Sequence, residues 1–366
     1  MIALSPLIRP MPVLETSPLE FDANGVPYSA RYADSYHAAQ GGLAQFEHVF
    51  LSGCELPQRW QGQPHFTIVE TGFGLGLNFL ATWQAWRTHP QRPRRLHFVS
   101  TELHPHTTDA LRQVHRASAL EALAAQLADQ LQTLGAQPVT GLHRFAFEDG
   151  CVQLTLGLGD AQTLLANLRL GADVFFLDGF APSRNPAMWS PQLFKALARL
   201  AHQGATLATW SVAGAVQRGL SECGFEVRDA PGFAGKRAMT VARFAPRYRV
   251  RRHEPPGAAV VAQPDRPTAL IIGAGLAGGA CAASFAARGW QVHVLEAGPQ
   301  VAGGASAHHA AGLQPALAAD HSRLMRLTVA GVNGALLHWP TQPASDDTPR
   351  WQACGALRLF ADATTN

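Results

Sequence analysis

Cysteine is scarce. Five stand in 366 residues, Cys54, Cys151, Cys223, Cys281 and Cys354, and none is spaced as C-x-x-C. That argues against a paired-cysteine zinc site and against the disulfide framework of a small secreted domain. Scattered, odd-numbered thiols suit a reducing cytoplasm, where the chain is expected to reside. Charge is low as well, at 15 % of residues against 47 % hydrophobic ones, with a net charge of +3. Wholesale disorder is thereby excluded, and the mild positive balance permits an anionic partner without demanding one. The N-terminal stretch MIALSPLIRPMP lacks the charged-then-apolar layout of a secretion signal. One long apolar run, 270–287, carries glycines where a strand-turn-helix needs them, so no membrane span is expected.

What is present is a pattern of short apolar runs alternating with alanine- and leucine-rich helical stretches. Strands are predicted at Phe66–Glu70, Leu96–Thr101, Val152–Leu156, Val174–Leu177 and Ala205–Thr209, with helices such as Thr107–Leu134 and Pro191–Ala201 between them. Such alternation predicts an α/β fold, a parallel sheet with helices on both faces. A helix at Val212–Cys223 and two successive strands, Phe225–Arg228 and Met239–Phe244, then suit an antiparallel hairpin closing the sheet. Residues 246–267 are rich in proline and arginine and read as a linker between a first domain, 1–245, and a second, 268–366.

The segment 68–79, IVETGFGLGLNF, ends a buried strand at Glu70, places Gly72, Gly74 and Gly76 at alternate positions, and starts a helix at Asn78. Glycines let the backbone turn sharply and let a ligand lie against it. The G-x-G-x-G spacing differs from the G-x-G-x-x-G of flavin and nicotinamide sites and is the form common in class I methyltransferases, where it holds the carboxypropyl chain of S-adenosylmethionine. Glu102 follows Gly72 by thirty residues, where an acid can accept both ribose hydroxyls; Asp160 ends the third strand, where a carboxylate can meet the adenine amino group. Glu70, Gly72, Gly74, Gly76, Asn78, Glu102 and Asp160 are therefore the candidate cofactor residues, although a lone carboxylate at such a place is as often a helix cap.

The fourth strand runs into DVFFLDGFAPSRNPAMW, 173–189. Asp178 lies at the carboxyl end of that strand, where the methyl acceptor would approach, and a carboxylate there can orient an amine and help remove its proton. Phe180 and Trp189 are candidates to stack on a base, although loop packing is an equal reading for Trp189; Lys236 and Arg237 are candidates to bind phosphate. In the second piece, ALIIGAGLAGGACAASFAARGWQVHVLEAG (269–298) sets Gly273, Gly275 and Gly278 in G-x-G-x-x-G spacing and ends a second strand at Glu296. With full βαβ context this is a dinucleotide signature, FAD here. Gly304 and Ser306 extend it. The adjacent His308 and His309 point apart, and no metal is expected.

IVETGFGLGLNF, FLDGFAPSRNPAMW and GFAGKRAM, together with the domain order, resemble the bifunctional tRNA 5-methylaminomethyl-2-thiouridine biosynthesis family, a Rossmann-like methyltransferase followed by a glycine-oxidase-like FAD oxidoreductase. The resemblance implies a tRNA partner, FAD-dependent removal of a carboxymethyl group from the wobble uridine, and methylation of the aminomethyl group so exposed. It places Gly72, Gly74, Gly76 and Glu102 at S-adenosylmethionine and Asp178 at the amine. The sequence departs from the family's pattern at Leu75, at Ala234–Gly235 and at Ala307–His308. It stops at Asn366, before the late segments with which such flavoproteins close their site, so the oxidative half is expected to be incomplete. A monomer is expected. The alternative is a flavin-dependent oxidoreductase of a small amine without RNA specificity; the first turn's spacing and the late strand pair argue against it.

Overall fold

The computed structural model describes residues 14–135, 138, 140–248, 267–308, 311–316 and 322–339. The predicted linker lies almost wholly outside the described residues, as do His309 and the last residues of the chain.

An N-terminal meander of three short strands, β1 (Glu20–Phe21), β2 (Pro27–Ser29) and β3 (Asp34–Ser35), leads to helix α1 (Gly42–Phe46), which continues as a wider π-type turn over Glu47–Ser52. Then come β4 (His65–Thr71), α2 (Leu77–Thr88), β5 (Arg95–Glu102), α3 (Thr108–Val114), α4 (Glu121–Leu131), β6 (Gly141–Phe147), β7 (Val152–Leu158), α5 (Ala161–Asn167), β8 (Ala172–Leu177), α6 (Pro191–Leu200), β9 (Ala201–Thr209), α7 (Gly214–Glu222), β10 (Phe225–Pro231) and β11 (Ala238–Phe244). These strands form one eight-stranded sheet in the order β10-β11-β9-β8-β4-β5-β7-β6. Strands β9, β8, β4, β5 and β7 are parallel; β11 and β10 close one edge as an antiparallel hairpin and β6 closes the other antiparallel to β7.

The central strands are buried on both faces, as parallel strands covered by helices must be. Adjacent residues point to opposite layers. Ile68, Phe98 and Phe176 pack with Trp83, Phe46 and Leu127 on one side, whereas Val69, Val99 and Phe175 pack with Leu165, Phe194 and Leu220 on the other. Side-chain oxygens cap the helices: Thr107 accepts from Ala110 N–H, Asp160 from Thr163 N–H, and Ser190, followed by Pro191 in the first turn, from Leu193 N–H. The helix predicted over Thr107–Leu134 is two helices. Ala117 takes a left-handed φ of 56°, and Ser118 Oγ accepts from Leu120 N–H, turning the chain between α3 and α4. Strand β6 and the N-terminal meander escaped the sequence pattern.

The second piece begins with β12 (Thr268–Ile272), helix α8 (Leu276–Ala286) and β13 (Gln291–Leu295), a βαβ unit with its two strands parallel, followed by helix α9 (Arg323–His338). The apolar run 270–287 is thus strand, turn and helix, and among the described residues no helix is long and apolar enough to cross a membrane.

Candidate active site

Strand order reverses at β4, with β5 on one side and β8 on the other. An open α/β sheet places its ligand crevice beyond the carboxyl ends of the strands at such a point. Gly72, Gly74 and Gly76 lie there with φ of 82°, 53° and 75°, backbone that favours glycine. Gly72 and Phe73 N–H both donate to Thr101 O, at 3.1 and 2.9 Å, which pins the turn to β5. A Cβ on Gly74 would stand 3.2 Å from the Tyr36 ring. Phe73 and Leu75 turn into the core instead, so leucine at position 75 is a packing residue.

A cleft of about 260 Å³ opens over this turn. Gly72, Gly74, Glu102, Asp160, Asp178, Phe180 and Lys236 all line it, so seven of the twelve residues singled out from the sequence in the first unit share one site. Glu102 is held by backbone: Oε2 accepts from Gly74 N–H at 2.8 Å and Oε1 from His104 N–H at 2.7 Å. Asp160 lines the cleft while its Oδ1 caps α5 through Thr163, so the capping and lining readings coexist. Asp178 follows β8. Its Oδ1 accepts from Gly179 N–H and its Oδ2 from Asn78 Nδ2, each at 2.8 Å. Burial pushes its pKa up to about 6, against the pull of hydrogen bonds from Gly179, Asn78 and Trp210. At neutral pH it is an ionised carboxylate that takes up a proton with little cost.

Five predicted residues sit elsewhere, among them Asn78, buried in the first turn of α2 behind Asp178 and outside the cleft lining. Trp189 is 7 % exposed and donates its indole N–H to Phe180 O at 2.9 Å; it braces the loop and gives no face to the cleft. Trp210, just beyond β9, lines the cleft in its stead, with Lys236 Nζ 3.9 Å from its ring centroid. The Lys236 pKa is lowered by burial, with Asp34 pulling the other way. Arg237 is exposed and outside the cleft lining. Glu70 is 1 % exposed, beneath the floor. Gly76 opens α2, and a Cβ there would meet Leu127 and Phe73 at 3.2 Å, so its role is packing of the turn.

The N-terminal meander, whose residues follow no periodic pattern, supplies a roof. Tyr32 stacks on Phe180 at 4.7 Å between centroids, and Tyr36 meets the same ring edge-on at 5.0 Å. Tyr36 Oη and His106 Nε2 hydrogen-bond at 2.7 Å; burial raises the tyrosine pKa and lowers that of His106 to about 4, so both are neutral. Asp34 Oδ2 accepts from Ala181 N–H at 2.9 Å and ties the roof to the Asp178 loop. Trp210 was within reach of the strand-end rule that found Asp178.

In the second piece the glycine turn is equally constrained. A Cβ on Gly278 would fall 1.8 Å from Gly273 O, and one on Gly275 would fall 2.9 Å from Ser306 Oγ. Glu296 Oε2 accepts from Ala274 N–H at 2.7 Å, Ser306 Oγ accepts from Leu276 N–H at 3.1 Å, and Gly304 precedes the short helical turn that carries Ser306. These residues gather beyond the ends of β12 and β13 and fit the nucleotide end of a dinucleotide. Among the described residues, no group of three or more His, Cys, Asp or Glu side chains is arranged to hold a metal ion.

Residues 121–245 match the family model described as S-adenosyl-L-methionine-dependent methyltransferase, and residues 268–366 match the model described as FAD dependent oxidoreductase. The tRNA 5-methylaminomethyl-2-thiouridine biosynthesis bifunctional protein MnmC of Cupriavidus metallidurans is 53 % identical over 354 residues, covering 97 % of this chain and 52 % of that protein. The protein of the same name from Azoarcus sp. is 49 % identical, covering 96 % of this chain and 54 % of its own length. The chain thus spans about half the length of the curated relatives it matches. The crystal structure of MNMC2 from Aquifex aeolicus superposes with a TM-score of 0.50 at 20 % identity, covering 65 % of this chain and 74 % of that one, a likeness of fold. Over nearly all of its own length and about half of theirs, the chain is similar to the bifunctional tRNA 5-methylaminomethyl-2-thiouridine biosynthesis proteins.

Proposed function

We propose that the first unit, residues 1–245, is a methyltransferase that converts the 5-aminomethyl group of a tRNA wobble 2-thiouridine to 5-methylaminomethyl. The observation that carries this reading is Asp178, a buried carboxylate with a pKa of about 6, set in one cleft with the glycine turn, Glu102 and Asp160. S-adenosylmethionine, when bound, supplies an electrophilic methyl group on its sulfonium. Gly72 and Gly74 offer the backbone surface for it, Glu102 the ribose acceptor and Asp160 the adenine contact.

An amine attacks only through a free lone pair. Asp178, whose two oxygens are fixed by Gly179 and Asn78, accepts a hydrogen bond from the amine, turns its lone pair toward the methyl group and takes the proton that the new secondary amine sheds. Phe180 and Trp210 provide flat surfaces for a base turned out of its stack, and Lys236 provides a positive charge at the rim for phosphate. The partner is tRNA, and the chain acts as a monomer in the cytoplasm.

In the second unit, 268–366, Gly273, Gly275, Gly278, Glu296, Gly304 and Ser306 would hold the adenosine diphosphate part of FAD. When bound, FAD supplies an acceptor for the hydride of a C–H next to an amine. The described residues supply the nucleotide end of that site.

Incubation with S-adenosylmethionine and undermodified tRNA, followed by mass spectrometry of the wobble nucleoside, should show the gain of one methyl group. Asp178→Ala should cut turnover at least 100-fold while leaving S-adenosylmethionine affinity within a few-fold (magnitude from general-base removal, about 10²–10⁴). No methyl gain by the parent chain would refute the function; turnover surviving in the variant would reduce Asp178 to a loop anchor.

A further inference from the structure

Glu70 is the buried titratable group that the mechanism leaves unused. It stands near the end of β4, directly beneath the glycine turn, at 1 % exposure. Ser100 Oγ donates to its Oε2 at 2.6 Å, while Oε1 is buried and lacks a partner. The charged groups that bear on it are Asp178 and Glu102, both acidic. A carboxylate enclosed in this way, with one donor, one bare oxygen and acidic neighbours, is held in its neutral form, and burial accordingly raises its pKa well above the usual range. A neutral carboxyl carries an O–H that needs an acceptor. The Asn78 carboxamide lies against both Glu70 and Asp178: one N–H of its Nδ2 donates to Asp178 Oδ2 at 2.8 Å, and its approach to Glu70 pulls the Glu70 pKa down against burial, as a donor does. The second N–H of Asn78 Nδ2 is the donor at hand for Glu70, and Ser100 Oγ, 2.6 Å from Oε2, can accept the O–H of the neutral acid.

We propose that Glu70 is a positioning residue for Asp178: its buried Oε1 accepts the second N–H of the Asn78 carboxamide, which fixes the amide so that its first N–H stays on Asp178 Oδ2. This departs from the sequence expectation that Glu70 and Asn78 contact the cofactor, and it rests on the reading of Asp178 as the proton acceptor. It also gives Oε1 a partner. The three side chains form a line from the sheet interior to the cleft floor, so the carboxylate that meets the amine is oriented from below while its upper side stays open.

The test compares Glu70→Ala, Glu70→Gln and Asp178→Ala for kcat across pH, for calorimetric affinity toward S-adenosylhomocysteine, and for thermal unfolding. Glu70→Ala should lower kcat at least 10-fold with affinity within 3-fold. Glu70→Gln should restore most of that loss, because its amide oxygen accepts from Asn78 as the carboxyl oxygen did, and its rate should rise through the same pH near 6 as the parent. If Glu70→Ala weakens the ligand as much as it slows turnover, Glu70 is a cofactor contact and the proposal falls. If Glu70→Gln moves the pH limb downward, an ionised neighbour has been removed and the neutral acid is refuted. Should the alanine variant not fold, the pH limb of the glutamine variant decides alone. An active Asp178→Ala overturns the mechanism itself, whereas an inactive one beside an undiminished Glu70→Ala overturns only the role of Glu70.

Discussion

At the residue scale, function rests on a carboxylate that folding makes reluctant to ionise. Asp178 has its pKa raised from 3.8 to about 6, chiefly by burial. Turnover should therefore fall as pH drops through about 6, because the protonated acid cannot accept from the amine; a kcat profile between pH 5 and 8 reads this directly. The same shift touches stability with the opposite sense. A raised folded-state pKa favours the fold fully below about 4, and that contribution is gone above about 6. Relative to the parent, Asp178→Ala should thus fare about 2 kcal/mol better at pH 7 than at pH 4, at about 1.4 kcal/mol per unit of pKa with the unfolded acid already partly ionised at pH 4, as denaturant unfolding at the two pH values can show. A second position carries strain of another kind. Ala234 adopts a φ of 54°, a left-handed backbone that glycine enters freely. Ala234→Gly should raise stability by about 0.5–1 kcal/mol in thermal unfolding, with the Lys236 side chain left where it is.

At the scale of elements, Arg59 fastens the N-terminal segment to the sheet. Its guanidinium donates to Asp173 O at 3.1 Å, to Gly204 O at 2.9 Å and to Thr206 Oγ1, bridging β8 and β9 from the chain that precedes β4. Arg59→Ala leaves those oxygens without their donor and should cost about 2–4 kcal/mol, measured as a shift of the denaturant midpoint at unchanged slope. The sheet itself was legible in advance. Five parallel strands and the closing hairpin came from short apolar runs because strands buried on both faces leave continuous hydrophobic sequence. Strand β6 was missed because its outer positions, Arg144 and Ala146, are exposed and its run GLHRFAF opens on a glycine. Thr107–Leu134 read as one helix because both pieces share a composition, and only the Ala117 turn divides them. In the site, the glycine turn, Glu102, Asp160 and Asp178 were legible because each ends a strand. Tyr32, Tyr36 and Asp34 were not, since they belong to a segment whose register is set by distant partners and by no period of its own.

At the scale of the whole molecule, the described residues form an eight-stranded sheet, a three-stranded meander and a small βαβ unit. Every described residue lining the cleft lies between Ser17 and Met239. A chain shortened to end at residue 248 should keep methyl transfer within a few-fold, and its loss would mean that the second unit shapes the tRNA-binding surface. That unit turns one face of its two-stranded sheet to solvent, with Leu270 62 % and Ile272 85 % exposed, so the shorter chain should also be the more soluble one, by light scattering at matched concentration. The roof of the cleft has a consequence for the order in which the molecule is made. Asp34 reaches Ala181 across 147 residues and Tyr36 reaches His106 across 70. During synthesis the roof emerges first and must wait, tied at most to His106, until β8 and its loop have left the ribosome. A nascent chain caught before that point has its glycine turn but no enclosed cleft, so the capacity to bind should arrive in a single late step, when the oldest part of the chain closes over the newest.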